Sequence, residues 1–202
     1  MKILNLYAGI GGNRKLWGDE HEITAVEIDP KIAKIYQDFF PNDKVLVTDA
    51  HQYLLEYYKE FDFIWSSPPC PTHSTIINSY FNQKNKQAKY PEMVLYQEII
   101  LLTKWFKGRW CVENVISYYS PLIKPYECGR HYFWGNFIIN NKKTKHPDIV
   151  RSDVNALQEY HGFDLSKFNI KNKRRLLRNC VHPKLGLHIF KCAFKDKQEI
   201  LK

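Results

Sequence analysis

Short apolar runs alternate with amphipathic stretches along the first 115 residues of this chain of 202. Alternation of this kind is typical of an α/β protein with a mostly parallel sheet, because helices cover the strands that they connect. The apolar runs predict strands over residues 2–6, 22–27, 44–47, 61–65 and 110–113. The stretches between them predict helices over residues 12–18, 30–39, 51–59 and 91–107, with Pro30 and Pro91 at first helical positions.

The hydrophobic pattern is weaker beyond residue 115. It predicts two strands over residues 132–139 that turn at Gly135, a basic loop over 141–146, a short helix over 153–160 and a final helix over 179–194. Residues 74–90 are polar with little apolar periodicity, so they predict either a mobile lid or an ordinary solvated loop. The length suits one domain, which we expect to span residues 1–202.

The composition predicts a soluble, intracellular protein. Apolar residues make up 44% of the chain, which suits a packed core, and no run of about 18 apolar residues predicts a membrane span. The first residues lead straight into a predicted strand without the features of a signal peptide, so we expect a cytoplasmic location. The five cysteines form no C-x-x-C pair, which favours reduced thiols over disulfides or a metal site.

The formal net charge of +9 favours contact with a polyanion such as a nucleic acid. Two basic clusters could grip phosphates without reading a sequence, and their residues are Lys142, Lys143, Lys145, Arg174 and Arg175. The alternative is a plain solvated surface of positive charge.

A glycine turn, residues 7–12 with the sequence YAGIGG, follows the first predicted strand. Its glycines fall where the backbone turns tightly and a ligand can approach, although a purely structural turn is the alternative. Glu27 ends the second strand, where its carboxylate can accept hydrogen bonds from ribose hydroxyls. Asp49 follows the third strand, where it could accept from an adenine amino group or cap the next helix. Together these features predict a nucleoside cofactor across the carboxyl ends of the first three strands.

A Pro-Pro-Cys turn follows the fourth predicted strand and ends at Cys70. A lone cysteine is most often a small buried side chain, but two prolines make a poor core strand and present the next side chain rigidly. A thiolate there could add to carbon 6 of cytosine and make carbon 5 nucleophilic towards a methyl group. Glu113, at the end of the fifth strand, could hold the ring nitrogen and amino group and supply a proton. Arg130 is the candidate cation that would favour the thiolate.

These residues resemble the motifs of the C5-cytosine DNA methyltransferase family, in the family's order and over almost the whole chain. Residues 68–70 (PPC) are similar to its nucleophile motif, residues 113–115 (ENV) to the motif that holds the cytosine, and residues 129–133 (GRHYF) to its arginine motif. Residues 156–163 and 178–181 are similar to two later motifs, the last of which packs beside the cofactor.

The resemblance implies an α/β, Rossmann-like methyltransferase fold whose seven-stranded, mostly parallel sheet contains one antiparallel strand and has helices on both faces. It implies S-adenosylmethionine as methyl donor, S-adenosylhomocysteine as product and DNA as partner. The implied catalytic residues are Cys70, Glu113 and Arg130. The implied cofactor-binding residues are Tyr7, Ala8, Gly9, Gly11, Gly12, Glu27, Ile28, Asp49, Pro68, Asn179 and Val181.

Amino-group methyltransferases share this fold and form the rival class. They are expected to carry an Asp-Pro-Pro-Tyr type of motif after the fourth strand, whereas residues 67–70 of this chain read SPPC. Cysteine replaces the aromatic residue that would stack on the base, and serine replaces the group that would hold the amino group. The chemistry therefore favours methylation of carbon.

Three departures from the family pattern bear on the substrate. The glutamine that usually follows the family's cysteine is absent after Cys70. His73 could remove the proton from carbon 5, or it could contact phosphate together with Ser74. We favour a third interpretation, in which His73 is a solvated loop histidine. Cys128 stands where a second arginine is expected. Residues 140–153 form only a short loop in place of a target recognition domain, so we expect weak or unselective DNA binding. A separate specificity subunit, a single-stranded or RNA substrate, a very short recognition sequence or a free nucleotide would each accommodate that gap. So would a nucleic-acid-binding or regulatory subunit that needs a partner chain for activity.

Overall fold

The computed structural model describes residues 1–75, 79, 90–141, 148 and 151–195. Its sheet has seven strands: β1 (Lys2–Leu6), β2 (Glu22–Val26), β3 (Lys44–Leu46), β4 (Phe63–Ser66), β5 (Arg109–Val115), β6 (Tyr126–Cys128) and β7 (His131–Gly135). They lie in the order β3-β2-β1-β4-β5-β7-β6, and β7 runs antiparallel to both of its neighbours while the other strands share one direction. The predicted sheet with one antiparallel strand is confirmed.

Helices cover both faces of this sheet. Those in the described residues are α1 (Pro30–Phe39), α2 (Ala50–Tyr57), α3 (Val94–Trp105), α4 (Val154–His161), α5 (Lys173–Arg178) and α6 (Pro183–Ala193), and a 3-10 helix (Tyr58–Glu60) follows α2. The side chains of Asp29, Asp49 and Asp153 accept backbone N–H groups at the starts of α1, α2 and α4. Such caps stabilise a helix because its first N–H groups have no partner within it.

Successive residues of the central strands point into two apolar layers. Ile3 and Phe63 belong to one layer, in which Phe190 of α6 stacks on Trp17 with ring centroids 5.1 Å apart. Leu4 and the neighbouring strands pack on the other side against α2 and α3. A third cluster joins α1 to α4 and α5. Because both faces are covered, the carboxyl ends of the strands are the natural place for a site.

The first five predicted strands are confirmed to within two residues at each end, but the helix predicted over residues 12–18 is wrong. These residues form successive turns, in which the Lys15 N–H donates to the Gly11 carbonyl and the Trp17 N–H to the Arg14 carbonyl. Gly11 and Gly18 have φ angles of 81° and 93°, so the backbone leaves the right-handed region on both sides of the turns.

Some boundaries that the sequence predicted at proline and glycine residues differ from those in the structure. Pro30 is the first residue of α1 as predicted, but α3 begins at Val94 rather than at Pro91. The strands predicted over residues 132–139 are instead β6 and β7, which turn at Gly129, where φ is 64°. The final helix begins at Pro183, capped by the His182 side chain, because a proline ring starts a helix more readily than it continues one.

Residues 136–153 join β7 to α4, and most of the predicted basic loop in this segment lies outside the described residues, as does most of the predicted lid. None of the five cysteines forms a disulfide; Cys70 is partly exposed and the other four are buried. None of the helices in the described residues has both the length and the apolar character needed to cross a membrane.

Candidate active site

A crevice opens at the carboxyl ends of the central strands. β1 lies between β2 and β4, so the chain leaves β1 and β4 towards opposite faces of the sheet and the order of strands reverses there. The glycine turn follows β1, Glu27 follows β2, Asp49 follows β3 and Cys70 follows β4, while Glu113 lies near the end of β5. The structure therefore brings the predicted cofactor and catalytic residues to one edge of the sheet.

The Glu27 carboxylate holds the glycine turn in place. Its two oxygens accept the backbone N–H groups of Gly9 and Asp29, each at 3.0 Å. Tyr7 and Gly9 both have positive φ angles, of 54° and 55°, so the turn leaves β1 in a conformation that a carboxylate partner helps to maintain. A carboxylate has about four acceptor positions, so Glu27 retains acceptors for ribose hydroxyls.

The last predicted motif lies directly beside the glycine turn. A Cβ atom at Gly12 would overlap the Cys180 sulfur atom and the Val181 carbonyl oxygen, so only glycine permits this approach. Asn179 is exposed at the C-terminal cap of α5, next to the same contact. The structure thus brings residues 179–181 to the glycine turn, although the two lie far apart in sequence.

Two apolar side chains stand exposed at the far end of the crevice. Ile28 is 66% exposed and Val47 is 55% exposed, next to Glu27 and Asp49 respectively. The Asp49 side chain accepts the Gln52 N–H at 2.8 Å, which confirms the capping interpretation of this residue. Exposed apolar surface flanked by carboxylates suits an adenine ring, because the ring offers a flat face to the former and amino hydrogens to the latter.

A buried carboxylate that the sequence interpretation missed joins three of the crevice loops. Glu98 of α3 is fully buried and accepts hydrogen bonds from Tyr7 Oη (2.7 Å), Ser66 Oγ (2.5 Å) and the His51 ring at Nδ1 (3.1 Å). The hydrogen bond between His51 and Glu98 is the main reason that the pKa of His51 is raised. The same carboxylate, after burial, raises the pKa of Tyr7. Glu98 therefore fixes the glycine turn, the start of α2 and the end of β4 relative to one another.

The turn that carries Cys70 is held by the end of β5 and by its own backbone. Asn114 Nδ2 donates to the Pro68 carbonyl at 2.9 Å, and the Cys70 carbonyl accepts the N–H groups of His73 (3.0 Å) and Ser74 (3.1 Å). Neighbouring strands β4 and β5 are paired in parallel, which places this turn beside Glu113. The thiol is thus presented at a defined position rather than buried in the core.

Burial and a neighbouring carboxylate disfavour the Cys70 thiolate in this state of the protein. Burial first, and then the negative charge of Glu113, raise the pKa of Cys70 to about 11. Burial lowers the pKa of Arg130, which also interacts electrostatically with Tyr160, Arg178 and Glu113. The role of Arg130 in favouring the thiolate stays a prediction.

Glu113 has a partner that the sequence interpretation did not assign. Glu113 is 6% exposed, and its Oε1 atom lies 2.5 Å from Nδ1 of His131 on β7. β7 pairs with β5 so that Glu113 is opposite Phe133, which leaves His131 as a diagonal neighbour on the same face. The letters GRH show a histidine after Arg130, but its contact depends on the register of two strands.

A small cleft continues from His131 towards the glycine turn. Its lining residues are Arg130, His131, Tyr160, His161, Cys180, His182 and Leu185. His161 is 2% exposed, and neither ring nitrogen has a hydrogen-bond partner in the described structure. Burial first, and then the neighbouring cationic groups, lower the pKa of His161 to about 3, so this imidazole is neutral at physiological pH. Within the described residues, no group of three or more His, Cys, Asp or Glu side chains could hold a metal ion.

His73 is not the solvated loop histidine that we favoured. It is 1% exposed, and its Nδ1 atom lies 2.6 Å from the Tyr119 hydroxyl in the loop after β5. Ser74 pairs with Ser117 in an isolated antiparallel bridge. The His73 side chain and the Ser74 backbone therefore fasten the Cys70 turn to the loop after β5, and a phosphate contact by the Ser74 side chain stays a prediction. The buried His73 ring is not placed to contact phosphate at the surface.

The predicted phosphate-gripping residues are placed only in part. Arg174 and Arg175 are exposed on α5, and Arg174 Nε donates to the Ser152 carbonyl at 2.9 Å. Lys142, Lys143 and Lys145 lie outside the described residues. The contribution of both clusters to nucleic-acid binding stays a prediction.

The strand order and the crevice define the Rossmann-like methyltransferase class. A solved methyltransferase from Entamoeba histolytica, EhMeth, has the same fold: its TM-score to this chain is 0.57 with 12% sequence identity, over 96% of this chain and 98% of that one. A DNMT2 mutant from Spodoptera frugiperda is 29% identical over 56% of this chain and 35% of that chain, with a TM-score of 0.38. No curated protein matches the sequence significantly.

A family model places the chain more narrowly. The model of the C-5 cytosine-specific DNA methylase family matches residues 1–117, which is more than half of the chain. The chain belongs to this family. Its matched part contains the glycine turn, Glu27, Cys70 and Glu113, so the resemblance that these residues carried is confirmed.

Proposed function

We propose that this protein transfers a methyl group from S-adenosylmethionine to carbon 5 of cytosine in DNA through a covalent adduct at Cys70. The observation that carries this proposal is the pairing of a thiol and a carboxyl group at neighbouring strand ends. Cys70 and Glu113 lie close enough for the carboxylate charge to raise the pKa of the thiol. Cytosine C5 chemistry needs both groups, one to add to carbon 6 and one to protonate the base.

The crevice suits S-adenosylmethionine. Glu27 keeps acceptors for the ribose, and the exposed side chains of Ile28 and Val47 offer apolar contact to an adenine. Gly12 leaves room for the chain at residues 180–181 to close the opposite side. The bound cofactor supplies an electrophilic methyl group on a positively charged sulfur. The protein's part is to place that methyl group over the base held between Cys70 and Glu113.

In the proposed mechanism, Glu113 gives one proton to the base and later takes it back. The Cys70 thiol first gives its proton to water. As the thiolate sulfur forms a bond with carbon 6, the carboxyl proton of Glu113 moves to N3 and the electron pair of the ring double bond becomes available at carbon 5. After methyl transfer, the carbon 5 proton leaves to water, the bond between sulfur and carbon 6 breaks, and the N3 proton returns to Glu113. The released thiolate then takes a proton from water. A protonated Glu113 also removes one of the two causes of the high Cys70 pKa. The proton on Glu113 therefore makes this residue an acid and also favours the Cys70 thiolate.

The direct test uses purified protein, labelled cofactor and DNA, followed by nucleoside analysis. The proposal predicts 5-methylcytosine from the native chain and none from Cys70→Ala. A native protein that binds the cofactor but forms no 5-methylcytosine on double-stranded or single-stranded DNA of mixed sequence would overturn it.

The same chemistry on RNA or on a free cytosine nucleotide is the alternative. The observation that favours it is the short connection of residues 136–153 between β7 and α4, which leaves little chain for reading DNA. Parallel assays on DNA, RNA and dCMP decide between these substrates. A separate specificity subunit is a further possibility with the same motive, and efficient turnover by the purified single chain would exclude the need for one.

A further inference from the structure

His131 contacts the proposed acid but has no role in the proposed chemistry so far. Its Nδ1 atom lies 2.5 Å from Oε1 of Glu113, and both side chains are mostly buried. At this separation one hydrogen occupies the contact, and the two atoms are a donor and an acceptor of one hydrogen bond. In the described structure no hydrogen bond is recorded for the second carboxyl oxygen, Oε2.

Among the described residues, no other carboxylate lies close enough to His131 to compete with Glu113. The titratable groups around it are Glu113 on β5, Cys128 on β6, Arg130 in the preceding turn, Tyr160 and His161 of α4, and Cys180 and His182 before α6. Glu113 is the one carboxylate in that set, so the contact between His131 and Glu113 has no alternative acid to share it with. The other groups on the cleft side are neutral or cationic at neutral pH.

We propose that His131 is a positioning residue for Glu113, which holds Oε1 so that Oε2 faces the base. This inference rests on the proposed function, because it gives Glu113 the acid role described above. When the Oε2–H bond breaks and N3 gains the proton, a carboxylate forms in a largely buried site. The Nδ1–H of His131 then donates to Oε1 and stabilises that charge. When N3 returns its proton to Oε2, the pair is restored with no net change.

Variants at position 131 separate this role from general packing. His131→Asn keeps a short donor near the Nδ1 position, whereas His131→Phe keeps the ring and removes the donor. We expect His131→Phe to lower kcat by about 10-fold to 100-fold, as for a lost hydrogen bond to a charged group. We expect KM for S-adenosylmethionine to stay within about twofold, since the cofactor residues are elsewhere. His131→Asn should recover most of the lost kcat.

The matched control is Tyr132→Phe. Tyr132 is the next residue on β7 and points to the opposite face, where it packs in the other apolar layer. Its substitution should change kcat by less than about twofold. Thermal melting of each variant reports whether the fold is intact. Equal kcat in the native protein and His131→Phe, or no recovery in a folded His131→Asn, would overturn the inference.

Nitrogen-15 NMR of the histidine rings gives a readout that needs no activity. The native protein should show a strongly hydrogen-bonded Nδ1 signal from His131, identified by its absence in His131→Phe, and this signal should shift in Glu113→Gln. A His131 signal that is unchanged by Glu113→Gln would show that the two side chains are not paired and would overturn the inference alone. A native protein with the paired signal but no methyl transfer would instead overturn the proposed function.

Discussion

The carboxylates on the cofactor side of the crevice are engaged by hydrogen-bond donors, whereas the thiol on the catalytic side is protonated. At the ends of β1 and β2, Glu27 accepts two backbone N–H groups, and the buried Glu98 accepts three side-chain groups. At the ends of β4 and β5, burial and the charge of Glu113 raise the pKa of Cys70 to about 11. The loops of the cofactor side are thus held in place by hydrogen bonds, whereas the thiol of the catalytic side is in its unreactive, protonated form.

This difference follows from the demands on each side. A cofactor site gains affinity when its loops are ordered before binding, because less conformational entropy is lost on association. A thiolate exposed permanently at a strand end would react with electrophiles in the absence of a substrate. In the proposed mechanism, the arrival of a base and a proton on Glu113 together release the thiolate. The two sides should therefore respond differently to substitution.

The largest expected effect comes from Cys70→Ala. Methyl transfer should fall below detection, because no other group can form the bond to carbon 6. The affinity for S-adenosylhomocysteine should stay within about twofold of the native value, as measured by calorimetry. A large loss of cofactor affinity in this variant would show that the two sides are not separate.

Glu98→Gln should act on the cofactor side, where it should lower the affinity for the cofactor product. The amide places N–H donors against hydroxyl and imidazole groups that need an acceptor, so the glycine turn and the end of β4 lose their common anchor. We expect the affinity for S-adenosylhomocysteine to fall by about tenfold. Glu56→Gln, at an exposed position on α2, is the control and should leave the affinity unchanged. Equal affinities for both variants would contradict the anchoring role.

The rate at which iodoacetamide alkylates Cys70 should report how strongly its surroundings disfavour the thiolate. With a pKa of about 11, the rate should rise about tenfold for each pH unit from 7 to 10. In Glu113→Gln one cause of that pKa is gone, so the rate at pH 8 should exceed the native rate. Mass spectrometry follows the labelling, and Cys70→Ala serves as the blank because the other four cysteines are buried. A plateau already at pH 8 would contradict the high pKa.

The smallest effect concerns His51. The hydrogen bond to Glu98 raises the pKa of His51, so the charged ring stabilises the folded state. This contribution is fully present below the unfolded-state pKa of about 6.5 and is lost as the pH rises through the higher folded-state value. His51→Gln should therefore lower Tm by about 1–3 °C more at pH 6 than at pH 9. An equal loss at both pH values would exclude this pairing as its cause.

Local sequence patterns predicted the first five strands and the residues at their ends. The apolar runs placed β1 to β5, and Cys70 and Glu113 were found because short motifs carry them at strand ends. The helix over residues 12–18 failed because the glycines that serve the cofactor turn also prevent regular helix geometry. Residues with a local signature were thus predictable, together with the sheet that they imply.

Contacts between distant segments could not be predicted in the same way. Glu98 resembles any other polar residue of an amphipathic helix, and its role exists because α3 packs against the ends of β1 and β4. His73 looked solvated because its polar neighbours in sequence concealed a partner, Tyr119, from another loop. His131 required the register of β7 on β5. Each depends on tertiary packing rather than on a local pattern.

The most direct test of the central claim is a covalent trap with DNA that contains 5-fluorocytosine in the presence of S-adenosylmethionine. Fluorine at carbon 5 cannot leave as a proton does, so a Cys70 adduct should persist after methyl transfer. The account predicts a protein–DNA complex that survives denaturation, maps by mass spectrometry to the peptide containing Cys70 and is absent in Cys70→Ala. A native protein that methylates unsubstituted cytosine without forming this complex, or a complex that persists in Cys70→Ala, would contradict it.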